Sequence, residues 1–203
     1  MISQTFVIAI AGTSGAGKST LIKSLLSRLG NANALSFDDY RAASTYPPVR
    51  EWLEGGADPN QFEAPQFSAD VLALKEGRSI IHPLTQKELK PVHYLILEEH
   101  FGRARDAMRE LIDFVVYIDI PLEIAHARKL LRKGDFLPWE DNPDLFIKNL
   151  GEHLLWYIEF GRDFYLAVKG SIYGNCDLVL DWTLSTEQMA DKIIEAITIN
   201  RTV

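Results

Sequence analysis

The chain has 203 residues, of which 47% are hydrophobic and 24% charged, with a net charge of −7. This is the composition of an ordinary globular chain with room for one sizeable core, and its acidic balance argues against a nucleic-acid surface as its main business. The single cysteine, Cys176, excludes an intrachain disulfide and points to a reducing compartment; the first apolar run is too short to span a membrane and has no basic leader, so a cytoplasmic protein without a membrane partner is expected.

In chain order, Phe6–Ala11 is a short apolar run that reads as a buried strand. It leads directly into Gly12-Thr13-Ser14-Gly15-Ala16-Gly17-Lys18-Ser19-Thr20, which satisfies G-x-x-x-x-G-K-[ST], the P-loop. Leu21, Ile22, Leu25, Leu26 and Leu29 then recur at helical spacing, with Gly30 placed as a C-cap. Glycines at a strand-to-helix turn let several backbone N–H groups converge on one anion, and the helix N-terminus adds its positive dipole end. In this motif Lys18 is expected to reach the β- and γ-phosphates of a nucleotide and the Ser19 hydroxyl to ligate Mg²⁺.

Ala34–Phe37 reads as a second strand with Asp38, Asp39 and Tyr40 at its C-terminal end, the ligand side of an open α/β sheet. The alternative for the two acids is a solvated helix start. Pro47-Pro48 and Gly55-Gly56 mark loop, with a helical turn around Trp52. Asp58-Pro59-Asn60 is a turn. A helix follows from about Ala64 to Glu76, ended by Gly77. Ser79–Pro83, including His82, is a short strand or hairpin arm. Tyr94–Leu97 is a buried strand ending in Glu98 and Glu99, and Arg103 to Leu111 is a short helix.

Phe114–Ile120 is the cleanest core strand. Pro121 opens a helix carrying Arg128, Lys129, Arg132 and Lys133 and ending at Gly134. Arg128 and Arg132 are one turn apart; they form either a lid over the phosphates or a solvated basic face. Asp135–Pro143 reads as a covering loop, so the lid is placed at about 128–143. A long helix from Asp144 to Val168 is expected to bend near Gly151 or Gly161, with Trp156, Phe160 and Phe164 as a core stripe. Leu178–Leu180 is the last strand, and Ser185 to Gln188 caps a final helix. The five histidines are dispersed and show no metal-ligand spacing. Strands alternate with helices throughout, which is an α/β pattern with a mostly parallel sheet in one domain, 1–203.

Neither an Asn-Lys-x-Asp guanine-reading sequence nor an Asp-x-x-Gly switch sequence is present. What is present resembles the uridine kinase and phosphoribulokinase group of small-molecule kinases, with nicotinamide riboside kinases as close relatives. The resemblance rests on the P-loop, on Phe37-Asp38-Asp39-Tyr40, on Phe62-Glu63 ahead of Lys75-Glu76-Gly77, on Leu95-Ile96-Leu97-Glu98, and on Cys176-Asp177-Leu178-Val179-Leu180. It implies a three-layer P-loop fold with a five-stranded, mostly parallel sheet and an arginine-bearing lid. It implies ATP and Mg²⁺ as cofactors, Asp38 as the base toward an acceptor hydroxyl, and Glu98 on the metal side with Glu99 as its competitor. The acceptor is then a small molecule, first a nucleoside, with nicotinamide riboside as the alternative; a regulatory nucleotide-binding protein is the rival from another class, and a homo-oligomer is left open.

The family's nucleoside-reading segments do not carry over. Asp-His-Pro is replaced by Ala57-Asp58-Pro59-Asn60, and the Tyr-Asp element after Ile-Pro by Leu84-Thr85-Gln86-Lys87 after His82-Pro83. Asp58, Glu63, Tyr40 and His82 are the candidates for acceptor contacts.

Overall fold

The computed structural model describes residues 5–132 and 142–200. Its main sheet has five strands in the order β2-β5-β1-β6-β7: β1 (Phe6–Ala11), β2 (Ala32–Ser36), β5 (Tyr94–Glu98), β6 (Phe114–Asp119) and β7 (Leu178–Asp181). Every pairing in it is parallel. A separate antiparallel hairpin pairs β3 (Ile80–Ile81) with β4 (Glu88–Leu89).

The central strands are apolar at nearly every position because both faces are covered, as parallel sheets require. Alternate residues serve opposite layers. Val7, Ala9, Leu95, Leu97, Val115 and Tyr117 pack with Trp52 of α2 (Val49–Glu54), Phe67 and Leu74 of α3 (Pro65–Lys75), Met108 of α4 (Asp106–Arg109) and Ile172 of α7 (Arg162–Tyr173). Ile8, Ile10, Ile96, Val116 and Ile118 face Leu21 and Leu25 of α1 (Lys18–Arg28), Ala125 of α5 (Leu122–Leu131) and Ile193 and Ile197 of α8 (Thr186–Asn200). The result is a helix–sheet–helix sandwich. Among the described residues no helix is long and apolar enough to cross a membrane.

The register brings the strand ends that carry chemistry to one edge. Glu98 pairs with Ile10 on one side and with Ser36 on the other, and Asp119 pairs with Asp181. The chain leaves β1 for β2 across β5, then returns to the opposite side of β1 for β6. That reversal opens a crevice beyond the carboxyl ends of the strands, the usual ligand position in such sheets.

Several local expectations are corrected. Gly30 does not end α1 in a left-handed turn; Asn31 does, at φ 56°, a conformation that asparagine tolerates. Helix α5 ends at Leu131, and Arg132 is already extended. The long helix is α6 (Pro143–Trp156) joined to α7 by a π-helical turn at Tyr157–Gly161. A Cβ at Gly161 would meet the Trp156 ring at 2.4 Å, so this glycine is where the indole folds back. The π turn adds a residue to the helical repeat. Of the expected stripe, Phe164 packs on the core, while Trp156 and Phe160 stay half-buried. Of the expected lid, residues 133–141, including Lys133 and Gly134, lie outside the described residues.

Candidate active site

The loop between β1 and α1 takes its shape from three glycines at positive φ, Gly12 (149°), Gly15 (89°) and Gly17 (98°). A turn in which Ala16 N–H donates to the Thr13 carbonyl (3.0 Å) closes it. Lys18 begins α1 and folds back over the loop, donating through Nζ to the carbonyls of Gly12 (3.0 Å) and Thr13 (3.3 Å). Its ammonium is 6% exposed and lies 3.5 Å from Glu98 Oε1. Burial lowers the Lys18 pKa from its ordinary value, and the charges of Glu98 and Asp38 oppose that shift.

Ser19 donates its hydroxyl to Glu98 Oε2 at 3.0 Å. A hydroxyl and a carboxylate side by side are hard oxygen donors, the set Mg²⁺ takes together with phosphate oxygens. The pair therefore fits the cation, and the glycine loop fits the phosphates; a Cβ at Gly17 would meet nothing within 4 Å, so the space above the loop is open.

The two adjacent acids at the end of β5, Glu98 its last residue and Glu99 just beyond it, part company. Glu98 turns to the cleft, while Glu99 is fully buried on the opposite face. Glu99 pairs with Arg105 at 2.6 Å and accepts from Phe101 N–H at 3.0 Å. Alternation along an extended chain puts successive side chains on opposite faces. The geometry thus leaves Glu98 alone of the two beside Ser19.

Asp38 lies on the first turn of the 3-10 helix Phe37–Ala43 that follows β2. It lines the same open cleft of about 670 Å³ as Ser14 to Leu21, Glu98, Arg128 and Arg132. His100 Nε2 stands 3.1 Å from Asp38 Oδ1; that hydrogen bond, with the charge of Lys18, holds the Asp38 carboxyl below the ordinary carboxylate range against the effect of burial. Asp39 faces the hairpin instead, 3.4 Å from His82 Nε2, and burial raises its pKa.

The arginines diverge. Arg128 places its guanidinium over the Trp182 ring, 5.2 Å from the centroid, and Arg132 reaches toward Ser14 Oγ at 3.4 Å. They share the cleft but serve different ends of it. Trp182 follows β7, anchored by donation of its N–H to the Asp119 carbonyl (3.2 Å). With Leu184, Ser185, Thr186 and Met189 it makes a flat, partly apolar wall.

The four acceptor candidates scatter. Tyr40 is 1% exposed and donates its hydroxyl to Asp70 at 2.9 Å, so it belongs to the core. Asp58 caps the short 3-10 turn Pro59–Gln61 by accepting from Asn60 N–H. Glu63 bridges to the backbone of Thr45 and lines a separate hollow of about 220 Å³ beside Arg105. His82 accepts at Nδ1 from Leu84 N–H (3.2 Å) and is tied to the site only through Asp39. The sequence reading missed His100 and Trp182. His100 carried a readable signal: it stands two residues beyond Glu98 at the ligand end of a strand.

A parallel sheet with this crossover, a glycine loop gripping a buried lysine, and a serine–carboxylate pair at the loop's exit define a nucleotide-binding protein of the P-loop kinase type. The chain belongs to the Phosphoribulokinase / Uridine kinase family, whose model matches residues 7–135. It is similar to the chloroplast phosphoribulokinase of Mesembryanthemum crystallinum, 27% identical over 158 residues that cover 64% of this chain and 40% of that one. It is similar also to the uridine kinase of Borrelia duttonii, 29% identical over 138 residues that cover 62% of this chain and 66% of that one. The match thus spans less than two thirds of either relative. A sugar kinase from Janibacter sp. HTCC2649 shares the fold at 19% identity and a TM-score of 0.50, over 96% of this chain and 95% of that one.

Proposed function

We propose that the protein is an ATP- and Mg²⁺-dependent kinase that phosphorylates a hydroxyl of a small molecule, with a nucleoside as the first acceptor class to test. The observation that carries this reading is the presence of Asp38 in one cleft with Lys18, Ser19 and Glu98. A protein that only binds nucleotide needs the last three; a carboxylate that faces the cleft from the end of β2, one strand beyond β5, serves a second substrate. Bound ATP·Mg²⁺ would supply the phosphoryl group and shield its oxygens.

The chain's own residues do the rest. The loop amides and Lys18 hold the phosphates and balance their charge. Ser19 and Glu98 hold the cation. Asp38 stays ionised because His100 and Lys18 favour its charged form, and it accepts the acceptor's proton as the new bond forms. Arg132 covers the phosphate end near Ser14, and Arg128 with Trp182 receives the flat base of the nucleotide. Membership in a family that includes uridine kinases supports the nucleoside class; a sugar phosphate is the alternative that the phosphoribulokinase likeness supports. The acidic balance and the cleft's size favour a small acceptor over nucleic acid.

The test is ADP release from ATP·Mg²⁺ with uridine, cytidine, nicotinamide riboside, pantothenate, simple sugars and sugar phosphates. One of these is expected to stimulate release strongly. Asp38→Asn is expected to abolish that stimulation while ATP affinity is kept; full turnover in the variant would refute the base assignment.

A further inference from the structure

His100 is left over from both the phosphate cradle and the core. It lies in the connection after β5 and lines the cleft. Its ring stands edge-on to Phe37, with centroids 5.4 Å apart at 83°. Phe37 is 1% exposed; Tyr46 stacks on it at 5.5 Å, and the Arg105 guanidinium lies over it at 4.5 Å. The imidazole is therefore backed by a fixed wall on the core side, and its free edge points at Asp38.

Asp38 needs such a partner. Its side chain is 60% exposed, and it stands on the first turn of a short 3-10 helix, so backbone packing alone does not select its rotamer. Two cations, Lys18 and Arg41, also act on it. Left to them, the carboxylate would turn toward an ammonium or a guanidinium and away from an acceptor. Among the described residues, His100 supplies the one side-chain hydrogen bond that Asp38 makes, at 3.1 Å to Oδ1. A carboxylate has two oxygens, so that bond leaves Oδ2 unoccupied.

We infer that His100 is a positioning residue for phosphoryl transfer: by donating from Nε2 to Oδ1 it holds Asp38 with Oδ2 turned to the acceptor hydroxyl. This rests on the reading of Asp38 as the acceptor-side base. The role needs one N–H donor and no change of charge on the ring. Phosphoryl transfer depends mostly on positioning and charge, and small misplacements of a reacting group are costly in rate. A loss of about tenfold is expected when the donor is removed, the scale of a partly exposed charge-assisted hydrogen bond.

The experiment is a double-mutant cycle on the full chain. His100→Phe keeps a ring against Phe37 and removes the donor; His100→Gln restores an N–H at similar reach; each is made in wild-type and Asp38→Asn backgrounds. The readout is ADP release at saturating ATP·Mg²⁺ with water as the only acceptor, which does not depend on the identity of the alcohol. ADP affinity by calorimetry serves as the check on the cradle. His100→Phe is expected to lower kcat about tenfold with KM for ATP and ADP affinity unchanged, and His100→Gln to recover most of the rate. In the Asp38→Asn background His100→Phe should do nothing further. Additive losses, or a wild-type rate in His100→Phe beside a slow Asp38→Asn, would overturn the role of His100. A wild-type rate in Asp38→Asn itself overturns the base reading, and the role of His100 falls with it.

Discussion

Two glycines of the phosphate loop share a left-handed backbone, yet their replacement by alanine should have unequal consequences. Gly15 and Gly17 have φ of 89° and 98°, so any L-residue there pays a backbone penalty of about 1.5 kcal/mol. For Gly17 that is the whole cost, because a Cβ would meet nothing within 4 Å. A Cβ on Gly15 would lie 2.1 Å from the Ala125 carbonyl oxygen, where 3.0 Å is the least that real contacts show. The shortfall is 3.0 − 2.1 = 0.9 Å, and the obstacle is α5 backbone, which has no rotamer to retreat into. Forcing α5 outward adds roughly 2 kcal/mol of overpacking. At roughly 3 °C per kcal/mol for a chain of this size, Gly17→Ala should lower Tm by about 5 °C and Gly15→Ala by about 10 °C. The assay is calorimetric unfolding without nucleotide. Equal drops, or a smaller drop for Gly15→Ala, would refute the claim that the phosphate loop is docked against α5. Because α5 carries Arg128, the same shift should also weaken ADP binding in Gly15→Ala.

The buried pair of Glu99 and Arg105 predicts a loss of about 3–5 kcal/mol in urea unfolding for Arg105→Met, since a buried carboxylate is left unpaired; a change below about 1 kcal/mol would contradict it. The exposed Lys148–Glu152 pair, 3.8 Å apart, is the control, and Lys148→Ala should cost less than about 0.5 kcal/mol. Trp182→Ala should weaken ADP binding about tenfold or more by removing a stacking face, and Trp182→Phe should retain most of it; equal affinities in calorimetry would place the base elsewhere. Burial and the charge of Lys129 lower the pKa of His126, which stacks on Tyr157 at 3.7 Å. The unfolded chain then takes up that proton more readily, so stability is lost as pH falls from about 6.5 through the lower folded value. His126→Gln should flatten the fall in Tm between pH 7 and 5.5; a parallel fall in both proteins would show that His126 is not its source.

The phosphate loop was legible because each of its residues does a local job: glycines turn the chain, a lysine folds back over the loop carbonyls, and strand and helix flank it. The alternation of strands and helices was legible for the same reason, since period and punctuation are local. Sequence spacing was weaker where a backbone changes state. Arg128 and Arg132 are four apart, but α5 ends at Leu131, so one arginine turns to Trp182 and the other to Ser14. Trp156, Phe160 and Phe164 are four apart too, but the π turn at Tyr157–Gly161 breaks the stripe. Tyr40 looked like an acceptor contact beside two acids; the buried Asp70 carboxylate, 30 positions away in the chain, claims its hydroxyl. His100, one of five histidines dispersed along the chain, meets Asp38 only after folding lays β5 beside β2.

The two neighbouring acids Glu98 and Glu99 show how the structural and chemical parts depend on each other. Extended backbone sends one to each face, so the chain cannot place Glu98 by Ser19 without burying its neighbour. A buried carboxylate is tolerable only with a partner, and Arg105 provides it at 2.6 Å. The same guanidinium lies over Phe37 at 4.5 Å, Phe37 backs the His100 ring, and His100 reaches Asp38. A contact made to neutralise a buried charge thus backs the side of the cleft where His100 meets Asp38. Arg105→Met should therefore show more than lost stability. In the folded protein, at temperatures well below its lowered Tm, turnover should fall while ADP affinity holds, because among the described residues the phosphate loop makes no hydrogen bond, ion pair or ring contact with these four side chains and is linked to them through the charge of Lys18 on Asp38.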